Sequence, residues 1–282
     1  MHVHSASLSF SAIAGELRAA GCVFAQDEAR LLIAEARSEP ELARMVRRRV
    51  LGQPLEYVLG WAQFADLRIA VEPGVFVPRR RTELLVREAA KLVPGHAAAD
   101  RGDAAGDAPK PPILVVDLCC GSGALGMALA VAVGVERVEL HAADIDPVAV
   151  ACARRNLALF GGRVYQGDLY EALPGELRGC INILIANLPY VPTGDIALLP
   201  PEAREHEPRV ALDGGADGLD MLRRAAAQAP LWLAPGGSLL IETSERQAPQ
   251  ATRILSRSGL IPQVAECEEL DATAVVATSP EV

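Results

Sequence analysis

The chain of 282 residues predicts an α/β protein: a seven-stranded, mostly parallel sheet covered on both faces by helices, with a smaller helical region and a hairpin in front of it. Three observations carry this. From residue 113 onward, strand-like and helical stretches alternate, the pattern of crossover units. Strand-like segments such as ILVVDL (113–118) and INILIAN (181–187) are nearly continuous apolar runs, as expected for strands buried on both sides. Residues 10–50 instead space their apolar residues every third or fourth position, the helical period.

The elements follow in order. FSAIAGELRAAG and AQDEARLLIAEARSEPELARMVRRRVLG read as helices, with Asp27 placed to cap the second and Gly52 to stop the last. Residues 53–77 carry aromatics and alternating apolar positions, as in a hairpin, with Trp61 and Phe64 as its core. TELLVREAAKLV (82–93) returns to the helical period. PGHAAADRGDAAGDAPKPP (94–112) has no apolar periodicity and reads as a flexible loop or linker. Residues 1–93 are therefore expected as an N-terminal region and 113–282 as the α/β domain. In that domain, strands are expected at 113–118, 138–144, 163–168, 181–187, 236–243, 260–267 and 273–278, with helices at 123–133, 147–160, 218–233 and 246–259.

The net charge is −9, unevenly spread: residues 1–93 hold 13 Lys/Arg against 11 Asp/Glu, leaving 14 against 25 for the rest. A strongly acidic main domain is a poor partner for long polyanions, so no stable nucleic-acid partner is expected. No apolar run reaches the length of a membrane span, and no basic stretch precedes the first apolar residues as in a signal peptide. The six cysteines lack metal-ligand or disulfide-framework spacing, which suits reduced thiols in a cytoplasmic protein. RRR at 47–49 reads as a solvated helix face, and His206 carries no catalytic expectation.

In VVDLCCGSGALG, Asp117 stands near a strand end, and Cys119, Cys120, Gly121, Ser122 and Gly123 form a turn before small residues open a helix. Glycines in such a turn let backbone N–H groups approach a ligand closely. The next strand ends in Asp144, where a carboxylate can hold ribose hydroxyls, and the third ends near Asp168 and Leu169, where an acid can meet a base edge. D-L-x-x-G-S-G resembles motif I of class I S-adenosylmethionine-dependent methyltransferases, whose fold is Rossmann-like. G121-S-G-A-L-G126 also satisfies a dinucleotide fingerprint, so the glycines alone leave the cofactor open.

The fourth strand-like run ends in Asn187-Leu188-Pro189-Tyr190. An amide or exocyclic amino nitrogen is a poor nucleophile because its lone pair is delocalised. To attack a sulfonium methyl, its N–H groups need acceptors that turn the lone pair toward the carbon. The side-chain oxygen of Asn187 and the backbone carbonyl of Leu188 offer two acceptors. Pro189 stiffens the corner, and Tyr190 can stack on the planar group. Catalysis then rests mostly on orientation, and no strong general base is required.

With these motifs together, the chain resembles the protein-(glutamine-N5) methyltransferases that modify peptide chain release factors, over residues 28 to 260. Their strand-four signature N-P-P-Y matches Asn187 to Tyr190. Residues 47–86 resemble their pre-catalytic segment, EPRVALDGGADGLD (207–220) their glycine-rich stretch, and PGGSLLIETSERQ (235–247) their strand-five segment. The resemblance implies S-adenosylmethionine as donor, bound by Asp117, residues 119–123, Asp144, Asp168, Leu169 and Asn187. It implies a release factor as protein substrate, docked by the N-terminal region, with Asn187, Leu188, Pro189 and Tyr190 holding the glutamine. The chain departs from the family pattern at Leu188, at Arg80 and Arg81, which replace a proline and an acid, and in a C-terminal stretch offering Asp271 without the matching arginine. Two alternatives stand beside this reading. One is an adenine-N6 methyltransferase on RNA or DNA, since ribosomal RNA adenine dimethyltransferases also use N-L-P-Y. The other is a catalytically silent, cofactor-binding paralogue.

Overall fold

The computed structural model describes residues 9–94 and 112–281. It opens with helices α1 (Phe10–Ala19), α2 (Ala25–Glu35) and α3 (Glu39–Val50). Ser9 and Ser38 cap α1 and α3 by accepting from Ala12 N and Glu41 N. The expected cap of α2 is displaced: Asp27 lies inside its first turn, where a carboxylate still meets the positive end of the helix dipole. These helices close over their own apolar core of Ile13, Leu17, Leu32, Leu42, Met45 and Val46.

The hairpin expected across 53–77 is shorter than the alternation suggested. Residues Leu55–Leu59 form a short helix, α4, which Gly60 ends in the left-handed conformation at φ 83°. Only β1 (Trp61–Phe64) and β2 (Leu67–Ala70) pair, through a turn in which Ala65 and Asp66 both have positive φ. Phe64 is fully buried against α5 (Glu83–Lys91), whereas Trp61 is half-buried beneath the Arg68 guanidinium, 4.0 Å from its ring centroid. The expected linker 94–112 lies outside the described residues apart from its two end positions.

The second half forms one seven-stranded sheet: β3 (Ile113–Leu118), β4 (Val138–Asp144), β5 (Arg163–Gln166), β6 (Ile181–Ala186), β7 (Leu233–Thr243), β8 (Ile261–Cys267) and β9 (Ala272–Thr278). Their order is β5-β4-β3-β6-β7-β9-β8, parallel except for β9, which runs against both its neighbours. The expected fold class is therefore found. Helices α6 (Ala124–Val133), α7 (Pro147–Leu157), α8 (Pro201–His206), α9 (Asp220–Trp232) and α10 (Ala248–Arg257) connect the strands. Alternate strand residues build two cores. Val115, Ile183, Ile185 and Leu240 pack with α5, α6 and α7 on one face. Leu114, Val116, Leu184, Leu239 and Ile241 pack with α9 and α10 on the other. The period of two thus divides each central strand between the two cores.

The parallel register sets the level at which the strands end. Leu118 pairs with both Ala143 and Ala186, Ala186 pairs with Ile241, and Asp144 pairs with Gln166. Residues just beyond this row emerge side by side at the carboxyl edge, where open α/β sheets hold ligands.

The basic run 47–49 departs from the expected solvated face. Arg47 is exposed, but Arg49 is only 6% exposed and joins the helical region to α8. Its Nε and Nη2 donate to Glu28 at 2.6 and 3.1 Å, and Nη2 lies 2.7 Å from Glu202 Oε1. The apolar spacing of α3 could not reveal this, because the partners come from α2 and α8. Removing the guanidinium leaves Glu28 buried without a counter-charge, so Arg49→Met is expected to lose about 3–5 kcal/mol in urea unfolding. The Arg49→Met, Glu28→Met double variant is expected to recover most of that loss.

Candidate active site

The turn after β3 needs unusual backbone. Cys119, Gly121 and Gly123 have φ of 56°, 53° and 77°. Glycine meets this without a steric clash, while Cys119 adopts it as an L-residue held by its surroundings. At Gly123, a Cβ would stand 3.1 Å from Leu157, so the helix start lies close on α7. Asp117 supports the turn from behind: it is fully buried and its Oδ2 accepts from Gly126 N at 2.8 Å, while Oδ1 has no partner. Burial pushes its carboxyl up to about 8, against the Gly126 hydrogen bond. Neither Asp117 nor Gly123 lines the adjoining cavity.

That cavity, about 660 Å³, is lined by Cys119, Cys120, Gly121, Ser122, Asp144, Asp168, Leu169, Asn187 and Pro189 among the expected residues. Asp144 accepts from Gly121 N at 2.8 Å through Oδ2 and from Asp146 N at 2.9 Å through Oδ1. Burial raises its carboxyl, and these N–H groups oppose the rise. Each oxygen keeps a lone pair for a ligand hydroxyl. Asp168 is held by Arg224, 2.6 Å away, and Leu169 is buried at φ 47°. Burial raises both Cys119 and Cys120, so they are thiols rather than reactive thiolates.

Asn187 follows β6 directly. A second cavity of about 520 Å³, with Leu188, Tyr190, Arg79 and Arg81 in its wall, meets the first at Asn187, Phe76 and Ala211. The Asn187 amide nitrogen faces the buried Thr82 hydroxyl at 3.5 Å. Leu188 is 3% exposed and belongs to the same apolar cluster as Leu219 and Leu222, so leucine fits where the related signature has proline. Tyr190 donates to Glu242 Oε1 at 2.8 Å.

The corner rests on the loop before α9. Val191 N donates to Leu212 O at 3.1 Å, and Gly214 N donates to Val191 O at 2.8 Å. A Cβ at Gly214 would stand 2.7 Å from Pro189 O, and one at Gly218 would overlap Tyr190 O. The glycines of DGGADG are there because backbone touches backbone.

The Methyltransferase small domain model matches residues 109–197. The chain is 39% identical over 217 residues to the release factor glutamine methyltransferase of Geobacter sulfurreducens, covering 76% of this chain and 69% of that protein. The chain belongs to the release factor glutamine methyltransferase family. It is also 37% identical to the 4-amino-L-phenylalanine/4-methylamino-L-phenylalanine methyltransferase of Streptomyces pristinaespiralis, over 78% of this chain and 71% of that one. Among solved structures, the T. thermophilus 16S rRNA N2 G1207 methyltransferase, in complex with AdoMet and guanosine, shares the fold at TM-score 0.52 and 19% identity, covering 78% of this chain and 49% of that chain.

Several residues that support the site of this family member were not among the site residues expected from the sequence. Asn156 Nδ2 donates to Ala70 O and Ser122 O at 2.9 and 2.8 Å, tying the hairpin to the glycine turn. Thr82, Arg224, Glu242 and Gln247 also fall outside the expected set. Gln247 closes the strand-five segment and Glu242 stands within it, and that placement is the one signal the sequence holds for them. The arginine cluster proves to be largely neutralised: Arg79 binds Glu207 at 2.6 Å and Arg81 binds Glu242 at 3.1 Å, while Arg80 is exposed.

The folded chain keeps a proton on Asp117 up to about pH 8, where the unfolded chain has already released it. Stability should therefore fall as pH rises from the ordinary carboxylate range through about 8. Urea unfolding from pH 5 to 9 is expected to show this fall, shallower in Asp117→Asn.

Proposed function

We propose that this chain is an S-adenosylmethionine-dependent methyltransferase acting on the N5 nitrogen of a glutamine side chain in a protein, a peptide chain release factor. The observation that carries the reading is that Asn187 lines both cavities, one beside the glycine turn and one beside Tyr190. The first cavity suits the donor: Asp144 has spare lone pairs for ribose hydroxyls, and a Cβ on Gly121 would meet no protein atom within 4 Å. When bound, S-adenosylmethionine supplies a sulfonium methyl.

The chain's own residues orient the acceptor. The Asn187 side-chain oxygen accepts one N–H of the acceptor. The Leu188 carbonyl accepts the other; among the described residues the backbone of Leu188, Pro189 and Tyr190 makes no backbone–backbone hydrogen bond. Holding both N–H groups turns the nitrogen lone pair toward the donor cavity. Tyr190, fixed by Glu242, walls the acceptor side. Residues 1–93 serve as the docking region for the protein substrate, 113–282 as the catalytic domain, and the cytoplasm as the place of action. Among the described residues, no helix is long and apolar enough to cross a membrane.

A second reading has one observation in its favour, the 37% identical relative named for 4-amino-L-phenylalanine. An aryl amine, like an amide, delocalises its nitrogen lone pair, so the same corner suits both. Incubation with labelled donor and either a release factor or 4-amino-L-phenylalanine separates them. Label on a release-factor glutamine is expected; label on the amino acid alone would overturn the protein acceptor. Asn187→Ala should lower the rate by about 100-fold or more without changing the unfolding midpoint.

A further inference from the structure

We infer that Gln247 is a positioning residue for the Asn187–Tyr190 corner, an inference that rests on the methyl-transfer reading above. Gln247 is 7% exposed, at the turn before α10. Its Oε1 accepts from Ser244 Oγ at 2.7 Å, and its Nε2 donates to Tyr190 O at 3.0 Å and Asp217 O at 3.1 Å. Two carbonyls can only accept, so the nitrogen must face them and the oxygen must face the hydroxyl. One N–H of the amide is used on the corner and the other on the loop.

The corner needs this hold. Leu188, Pro189 and Tyr190 have no backbone–backbone hydrogen bonds among the described residues, which leaves the Leu188 carbonyl free for the acceptor. The same freedom leaves the segment without a ladder to fix it. Gln247 supplies the hydrogen bond to its last carbonyl and joins it to the loop carrying Gly218. A shift at Tyr190 would be passed to Leu188 and Asn187, and misplacement of about 1 Å can lower a rate about 100-fold.

Two variants test this in the full chain. Gln247→Leu removes both donors. Gln247→Glu keeps the size, but its carboxylate cannot donate and faces two carbonyls. Around the brace, the Asp217 carboxylate is paired with Arg223 and held down at about 2, and burial raises the Tyr190 hydroxyl, so neither titrates between pH 6 and 8. Glu242 is paired with Arg81 on the far side of Tyr190. We expect kcat to fall about tenfold or more in Gln247→Leu, with the S-adenosylmethionine affinity unchanged. Gln247→Glu should match it at pH 8 and recover as pH falls to 6, because a protonated carboxyl donates again. Hydrogen exchange should quicken at Val191 and not at residues 120–126. Wild-type kcat in Gln247→Leu, unchanged exchange at Val191, or a Gln247→Glu pH profile parallel to wild type would each overturn the proposal. If Gln247→Leu does not fold, the pH profile of Gln247→Glu decides. Should the wild type label no release factor, the acceptor reading fails, and the exchange measurement still decides whether Gln247 holds the corner.

Discussion

The parallel register of the central strands is the constraint on which the site depends. Because Leu118 lies opposite both Ala143 and Ala186, the next residues along the three chains, Cys119, Asp144 and Asn187, stand at one level at the end of the sheet. Ile241, opposite Ala186, puts Glu242 in the same row. A slip of one residue would turn the apolar side chains of a strand to the wrong face, so the two buried cores enforce the alignment. The glycine turn, Asp144 and the Asn187–Tyr190 corner are therefore placed by packing that none of them provides.

The edge of the sheet is also where backbone polar groups lose their ladder partners, and the chain meets this by different means at each strand end. After β3, Asp117 and Asp144 accept from Gly126 and Gly121. After β6, glycine positions let the 213–218 loop approach the corner, and Gln247 adds a side-chain amide. Burying Asp117 raises its carboxyl, which is the local penalty of supporting the turn from inside the core.

Much of the fold was legible because strands buried on both faces must be apolar throughout, as in ILVVDL and INILIA. The turn and corner were legible because their chemistry needs particular residue types in short succession. What stayed hidden is tertiary. Gln247 and Tyr190 lie 57 positions apart, and nothing local in SERQ marks the glutamine as a brace. Arg49 sits in a basic run that looks solvated until α2 and α8 supply carboxylates. The helix at Leu55–Leu59 was obscured because its few residues alternate well enough to pass for a strand.

The arginine departure shows how a sequence change can mislead when charge is counted without geometry. Read alone, Arg80 and Arg81, standing where the related pattern has a proline and an acid, reverse the local charge. In the fold, Glu207 and Glu242 have side chains 1% and 3% exposed, and each needs a cation nearby. Arg79, which is no departure, supplies the one for Glu207 and Arg81 the one for Glu242, while Arg80 stays exposed beside Glu269, so one of the two added arginines is matched by a buried carboxylate. Arg81 also lies 5.9 Å from the Tyr190 ring, and Glu242 joins both residues. Glu242 therefore holds Arg81 and Tyr190 together at this wall of the second cavity.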